Sequence, residues 1–394
     1  MKTLSLTLAI LLMTNSQIDL EAADYGRLHR DALVADMHSD TVLKARVDST
    51  YDFCVRNDDG HMDLPRLREG GIDLQVFACW LPTKTPLDSC FGVTEELIDS
   101  FYTRIDACPD ELTVCTNATE AQAAIDGGKI AAVLAIENGV AIANDLDNIE
   151  HFYNRGVRYI TLTHTASSDW CISSADTAEA FHGLTDFGKD VVRKMNKLGM
   201  IVDISHASVS AVEEVLKITT APIIASHSCV HALCTHDRNL TDDQIKDIAA
   251  NGGVIGVNFF PAYVSEEYRL RSDSIWAHYG QLYDSVEQMY IDNDSALHAA
   301  ERKLYHQLRD DMSKYTVSIG ELVNHIEYIV NLVGADYVGL GSDFDGVPTM
   351  PEGLDDCTGV PLITKELVAR GYSEVDIRKI LGGNFMRVFG QVCK

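Results

Sequence analysis

The chain has 394 residues, of which 46% are hydrophobic and 8% aromatic, enough for a substantial core in one large domain or two ordinary ones. Acidic residues number 59 against 32 basic, and the formal charge of −27 argues against nucleic-acid or membrane-surface binding, because such a coat repels phosphate backbones and anionic lipid. Neither a solenoid-period repeat nor a low-complexity tract is present, which excludes a repeat array or a largely disordered scaffold.

Met1 and Lys2 precede the apolar stretch Leu4 to Met13, and polar residues follow to Asp24. A secretory signal peptide over residues 1–23, with export to a periplasmic or extracellular space, is the expectation. The other reading is an N-terminal core helix in a cytoplasmic protein. No other stretch is long and apolar enough for a bilayer, and no hydrophobic tail precedes Lys394, so neither a further transmembrane segment nor a lipid-anchor signal is expected. The ten cysteines form no C-x-x-C pair, which leaves a thiolate zinc site or thioredoxin-like motif unsupported. In an exported chain some of them would pair, and the pairing is left open.

Eight short apolar runs then appear, each with the Val, Ile, Leu and Ala content of a strand buried on both faces. The first, in "ALVADMHSD" (32–40), runs straight into His38, Ser39 and Asp40, and the second is "IDLQVFACW" (72–80). A helix opening at Thr119 and Glu120 and closing at Gly127 and Gly128 leads to the third, "IAAVLAIENG" (130–139), and then to the fourth, "VRYITLTH" (157–164). "LTDFGKDVVRKMNKLG" (184–199) reads as a helix from a Thr-Asp start to a Gly stop. The fifth and sixth strands follow, "GMIVDISH" (199–206) and "APIIASHS" (221–228). In "LTDDQIKDIAANGG" (240–253) Thr241 is the expected N-cap, with acids in the first turn and glycine at the end. The seventh strand is "GGVIGVNF" (252–259); the helix of "VSIGELVNHIEYIVNLVG" (317–334) precedes the eighth, "YVGLGSDF" (337–344).

Parallel-type strands alternating with helices in this way describe a (β/α)8 TIM-like barrel spanning residues 24–394 as one domain. A doubly wound open sheet is the competing architecture, but it would normally place a Gly-rich phosphate turn after its first strand, where this chain has His-Ser-Asp. Residues 262–316, between the seventh and eighth strands, are less regular and carry charged, helix-favouring runs. They read either as an insertion at the barrel mouth (a lid or a subunit contact) or as an ordinary surface excursion.

In such a barrel the side chains at the carboxyl ends of the strands converge on one face. Those ends here supply His38 and Asp40, Glu137, His164, His206, His227 and Asp343. A lone histidine after a strand is usually structural; four at one level with three acids point to a metal centre. Residues i and i+2 share a face, so His38 and Asp40 can address one ion while Ser39 points away. Mixed imidazole and carboxylate ligands suit zinc, and less selectively manganese, iron or cobalt. With Glu137 central, they would suit two metals about 3.5 Å apart that activate a shared water and polarise a scissile carbonyl. Asp343, in "GSDFDG", could carry a proton from that water to a leaving nitrogen, with Asp345 as the alternative acid or a loop-shaping one. His164 could donate to the oxyanion of a tetrahedral intermediate. Arg238, on the loop after the sixth strand, fits either a substrate carboxylate or a salt bridge to Asp237.

Together these pieces resemble the membrane dipeptidase (renal dipeptidase) family of the amidohydrolase superfamily. The matching segments are "DMHSD" (36–40), "HMDLPRLREGGIDLQVFACW" (61–80), "AIENG" (135–139) and "LTHTASSDW" (162–170), then "VDISHAS" (202–208), "SHSCVHALCTHDRNLTDDQI" (226–245), "GLGSDFDGV" (339–347) and "GYSEVDIRKILGGNFMRVF" (371–389). Their order matters more than any one of them, since H-x-D alone is common across the superfamily. The resemblance implies a binuclear zinc dipeptidase acting on L-L and L-D dipeptides, with β-lactam opening in some members. It implies His38 and Asp40 on one zinc, His206 and His227 on the other, and Glu137 bridging. It gives His164 the oxyanion, Arg238 the substrate carboxylate and Asp343 the proton shuttle, and a homodimer as the family state. Two departures are expected: the mammalian members carry a C-terminal lipid anchor, for which no signal is read here, and residues 262–316 look longer than the family's, which bears on substrate preference. A metal-dependent amidohydrolase acting on an N-acyl amino acid or a lactam needs the same centre. A non-catalytic metal-binding barrel would be expected to have lost Asp343 or Glu137.

Overall fold

The computed structural model describes residues 25–47, 50–176, 180–290 and 294–394. The signal peptide expected over residues 1–23 lies outside the described residues. Among the described residues nine strands form a wholly parallel sheet: β1 (Ala35–Asp36), β2 (Leu74–Trp80), β3 (Leu112–Val114), β4 (Ile130–Glu137), β5 (Val157–Thr161), β6 (Ile201–Asp203), β7 (Ile224–Ala225), β8 (Val254–Val257) and β9 (Val338–Leu340). The ring closes because β2 pairs with β4, from Leu74 opposite Ala131 to Trp80 opposite Glu137, while β1 pairs with both β2 and β9. Eight of the strands make the barrel, and each lies in one of the eight apolar runs. This is the (β/α)8 fold, not the open sheet.

The additional strand, β3, pairs only with Ile130–Ala132 of β4 and stands outside the ring. Its Thr113 and Val114 are only half-buried, so no apolar run announces it. One helix start also moves: the helix before β4 spans Ala118–Asp126, and its N-cap is Asn117, whose side chain accepts the Glu120 N–H, not Thr119. Elsewhere the caps fall where the sequence places them. Thr185 caps Asp186–Leu198, and Thr241 with Gln244 forms a capping box on Asp242–Ala250.

Two cores explain why both faces of the strands are apolar. Inside the barrel, Ala131, Val133 and Ala135 of β4 meet Met37, Val76, Tyr159, Ile201 and Val254, and Phe385 and Phe389 of the helix Asn384–Val392 close the far end. Outside it, Ile130, Leu134 and Ile136 pack with residues of the helical layer such as Phe152 and Val191. The inward row of β4 has period two, so its next member is Glu137, a carboxylate at the open end of the barrel.

Between β8 and β9 the chain forms a short helix, Pro261–Val264, and two long ones, Glu266–Met289 and Asp294–Met312, which pack together as a hairpin. Cys54 and Cys108 form a disulfide that ties the loop after β1 to the end of the helix Leu87–Asp106.

Candidate metal centre

Glu137 is 2% exposed, and its two carboxylate oxygens face different partners. Oε1 lies 3.0 Å from His206 Nε2 and 3.2 Å from His227 Nε2, whereas Oε2 lies 3.5 Å from His38 Nε2. Asp40 Oδ2 is 3.7 Å from the same His38 nitrogen. His164 Nε2 stands 3.8 Å from Oε1. Asp343 joins His38 and His227 in a group of ligand atoms all within 4.8 Å of one another. All seven metal-centre side chains named from the sequence therefore meet at one place.

The geometry fits cations. His206 Nε2 and His227 Nε2 are 3.1 Å apart, and with Glu137 Oε1 they make a triangle of 3.0 to 3.2 Å edges. Ligands at about 2.0–2.1 Å around tetrahedral zinc stand about 3.3 Å from each other, which matches. His38 Nε2 and Asp40 Oδ1 are buried with no hydrogen-bond partner among the described residues, the condition of atoms whose partner is an ion. Burial, and then the neighbouring Glu137, pushes the Asp40 carboxyl up to about 8. Burial would also raise Glu137, but the surrounding imidazoles, His38 first among them and with hydrogen bonds from His206 and His227, hold that carboxyl well below the usual range. His227 is pushed down to about 4, by burial first and the adjacent His38 second. Carboxylates and imidazoles packed this closely make a donor set suited to a bound cation.

The imidazoles are oriented from behind. The Tyr159 hydroxyl donates to the Met37 carbonyl at 3.1 Å, so it accepts from His38 Nδ1 at 2.8 Å and leaves the His38 Nε2 lone pair for the centre. On the other side Ser226 donates to Asp203 Oδ2 at 2.6 Å and accepts from His227 Nδ1 at 2.7 Å. Asp203 also accepts from Thr161 and from the backbone of Ser205 and Ser226, knitting β5, β6 and β7 together beneath the histidines. Asp36 is the counterpart under β1 and β9, holding Ser342 through both its N–H and its hydroxyl, together with the Gln75 amide. His164 Nδ1 faces the Thr165 hydroxyl at 3.2 Å, and Thr165 faces Thr83 at 3.1 Å. Donation in the order Thr83, Thr165, His164 leaves the proton on Nε2, facing the centre.

Backbone strain gathers here as well. His206, Asp343 and Asp345 have φ of 67°, 65° and 67°, a left-handed conformation costing a non-glycine residue on the order of 1 kcal/mol. Asp345 resolves its own alternative: it accepts from the His61 N–H at 2.7 Å and the Thr41 hydroxyl at 2.7 Å, so it shapes the loop. Gly346 must be glycine, because a Cβ would stand 2.1 Å from Asp40 Oδ2 and 2.5 Å from Asp343 Oδ1.

Arg238 is 6% exposed and donates to the Ser228 hydroxyl at 2.7 Å and the His227 carbonyl at 2.8 Å. Neither partner is a carboxylate, Asp237 included, and its Nε has no partner among the described residues. Its guanidinium lies 5.9 Å from the Tyr263 ring. A cavity of ≈ 260 Å3 opens beside Arg238 and His206, lined also by Ser173, Ser228, Asn239 and Thr241. Sequence reading missed Tyr159, Ser226, Asn258 and Tyr263. A tyrosine inside "VRYITLTH" and a serine directly before His227 were the available signals for the first two.

A closed parallel barrel that collects four imidazoles and three carboxylates at the C-terminal ends of its strands is a metal-dependent hydrolase by its layout. The chain belongs to the membrane dipeptidase family (peptidase family M19), which it matches over residues 22–394. It is thus a metallopeptidase, a hydrolase acting on peptide bonds. Among solved structures it is similar to the probable dipeptidase PvdM from Pseudomonas aeruginosa, at 27% identity and a TM-score of 0.80, covering 95% of this chain and 98% of that one. It shares its fold with a metallo peptidase from Rhodobacter sphaeroides solved with a phosphinate mimic of the dipeptide L-Ala-D-Ala. That match has 23% identity and a TM-score of 0.75, and covers 92% of this chain and 99% of the other.

Proposed function

We propose that this protein is a zinc dipeptidase that hydrolyses free dipeptides, L-L and L-D, at a centre of two ions bridged by Glu137. Arg238 carries the dipeptide reading: a buried guanidinium with only neutral described partners, beside a small cavity, is complementary to the terminal carboxylate of a short substrate. The cavity of ≈ 260 Å3 beside it has room for the carboxylate end of a short substrate.

His38 and Asp40 would hold one ion and His206 and His227 the other, with Glu137 turning one oxygen to each pair. Metals bound there would supply Lewis acidity and lower the pKa of water. Asp343 takes the proton of the attacking water and delivers it to the departing amine nitrogen. His164, neutral because burial lowers its pKa, donates from Nε2 to the oxygen that becomes negative in the tetrahedral intermediate. Arg238 fixes the carboxylate end, so the scissile carbonyl falls over Glu137 only when the chain is short. Export is part of the same reading, supported by the Cys54–Cys108 disulfide, which persists in oxidising compartments.

Metal analysis and a hydrolysis panel on protein lacking residues 1–23 test this. The panel holds L-L and L-D dipeptides, their N-acetylated and amidated forms, and a tripeptide. About two zinc per chain with turnover of free dipeptides is expected. Preference for blocked or acylated compounds would keep the centre and replace the substrate with another small amide. A protein that binds metal but turns over none of these would be a binding barrel.

A further inference from the structure

The hairpin Glu266–Met289 and Asp294–Met312 meets loops of the catalytic face: Glu266 accepts from the N–H and the hydroxyl of Thr235, in the loop after β7, at 2.8 and 2.9 Å. Lys84, four residues beyond β2, donates to Glu287 at 2.9 and 3.1 Å. Arg309 donates to Asp59, in the loop after β1, at 3.0 Å, and Asp59 also receives Lys44 at 2.9 Å. Tyr268 bonds Thr349 at 2.7 Å and Tyr305 donates to the Val347 carbonyl at 3.4 Å, both in the loop after β9. Rooted after β8, the hairpin therefore spans the sectors from β7 through β8, β9 and β1 to β2, from the loop that bears Arg238 to the loop that bears Lys84.

Arg238 stands on the loop after β7. In the closed ring β2 is the fourth strand from β7 in either direction, through β6, β5 and β4 or through β8, β9 and β1. Arg238 and Lys84 thus mark opposite ends of one diameter across the mouth. A peptide held by its carboxylate at Arg238, with its scissile carbonyl over Glu137, must direct its amino end toward β2, where Lys84 and Glu287 close the hairpin onto the rim.

We infer that this hairpin is the specificity-determining roof of the amino-terminal subsite, excluding peptides with a further residue or an acyl group on the amino side. The inference rests on the dipeptidase reading above. The latches are surface pairs: Lys84 and Glu287 are 78% and 44% exposed, Arg309 and Asp59 37% and 49%. Exposed pairs are individually weak and screened by salt, so the roof can lift for exchange of substrate and product.

The test compares kcat/KM for a dipeptide with that for a tripeptide carrying the same two C-terminal residues. Glu287→Lys sets two ammonium groups against each other and should raise the tripeptide-to-dipeptide ratio about tenfold, with dipeptide kcat within about threefold of wild type. Lys84→Glu combined with Glu287→Lys rebuilds the pair in reverse and should return the ratio to within about twofold of wild type. Should Glu287→Lys fail to fold, wild type alone answers, because raising salt from about 0.05 M to about 0.5 M weakens both latches and should move the ratio the same way. A ratio unmoved by variant and salt, or a wild type that cleaves tripeptides as readily as dipeptides, would overturn the roof while leaving the dipeptidase reading standing. Loss of all dipeptide turnover in metal-loaded wild type would remove that reading and the roof with it.

Discussion

The side-chain amide of Asn258 donates to Oδ2 of Asp343 across 2.8 Å, in the buried floor of the centre. One carboxylate oxygen is thereby committed to the scaffold, and Oδ1 is the one left for proton transfer. Asp343→Asn preserves the shape but cannot hold or release the proton. Turnover should fall by about 10²- to 10⁴-fold with zinc content unchanged, read by metal analysis alongside dipeptide kinetics. Full activity in that variant would move the shuttle elsewhere.

Glu137→Gln tests the bridge. An amide offers one carbonyl oxygen and one NH2, so it serves His206 and His227 on one side or His38 on the other, not both ions. Metal content should drop toward about one ion per chain, and the loss should be steepest on dialysis against a chelator. Retention of wild-type stoichiometry would refute the bridging role.

Arg238→Met removes the guanidinium and keeps most of the bulk. For a free dipeptide kcat/KM should fall by about 10- to 100-fold, the worth of a charged hydrogen-bonded contact, expressed mainly in KM. The amidated dipeptide, which has no terminal charge to lose, should change by less than about threefold. Equal losses on both compounds would mean that Arg238 supports the loops instead of reading the substrate.

His325 sets a pH dependence of stability. Its Nδ1 accepts the Val230 N–H at 3.0 Å and its Nε2 donates to the Val264 carbonyl at 2.8 Å, so the ring is neutral and joins the loop before Arg238 to the turn bearing Tyr263. Burial pushes its pKa down to about 4, against roughly 6.5 in an unfolded chain. The unfolded state therefore binds the proton first. Stability from this group is complete above about pH 6.5 and drains away as pH falls toward 4, by up to about 3 kcal/mol. His325→Gln keeps the donor but cannot titrate, so the stability gap between wild type and variant should narrow from about pH 7 to about pH 4.5 in urea melts. A constant gap would contradict the assignment.

Much of this protein was legible in its sequence for one reason. A strand buried on both faces must be an apolar run, and its first polar residue falls where the strand reaches the barrel mouth. Glu137 is such a residue, and His38, Asp40, His164, His206, His227 and Asp343 lie within a few positions of the ends of their runs, so the sequence names them as candidates. The short outer strand β3 escaped because its half-exposed Thr113 and Val114 leave no run to see.

What the tertiary structure alone decided are relationships made by closing the ring. Tyr159 reaches His38 across 121 residues, Asn258 reaches Asp343 across 85, and Lys84 reaches Glu287 across 203. The pairing of Cys54 with Cys108, left open among ten cysteines, belongs with them. Periodicity and turn chemistry are local and repeat along the chain, so one sequence displays them. Which polar group lies opposite which depends on strand register and on the direction of each loop, and the chain acquires these only when β2 meets β4 and the barrel shuts.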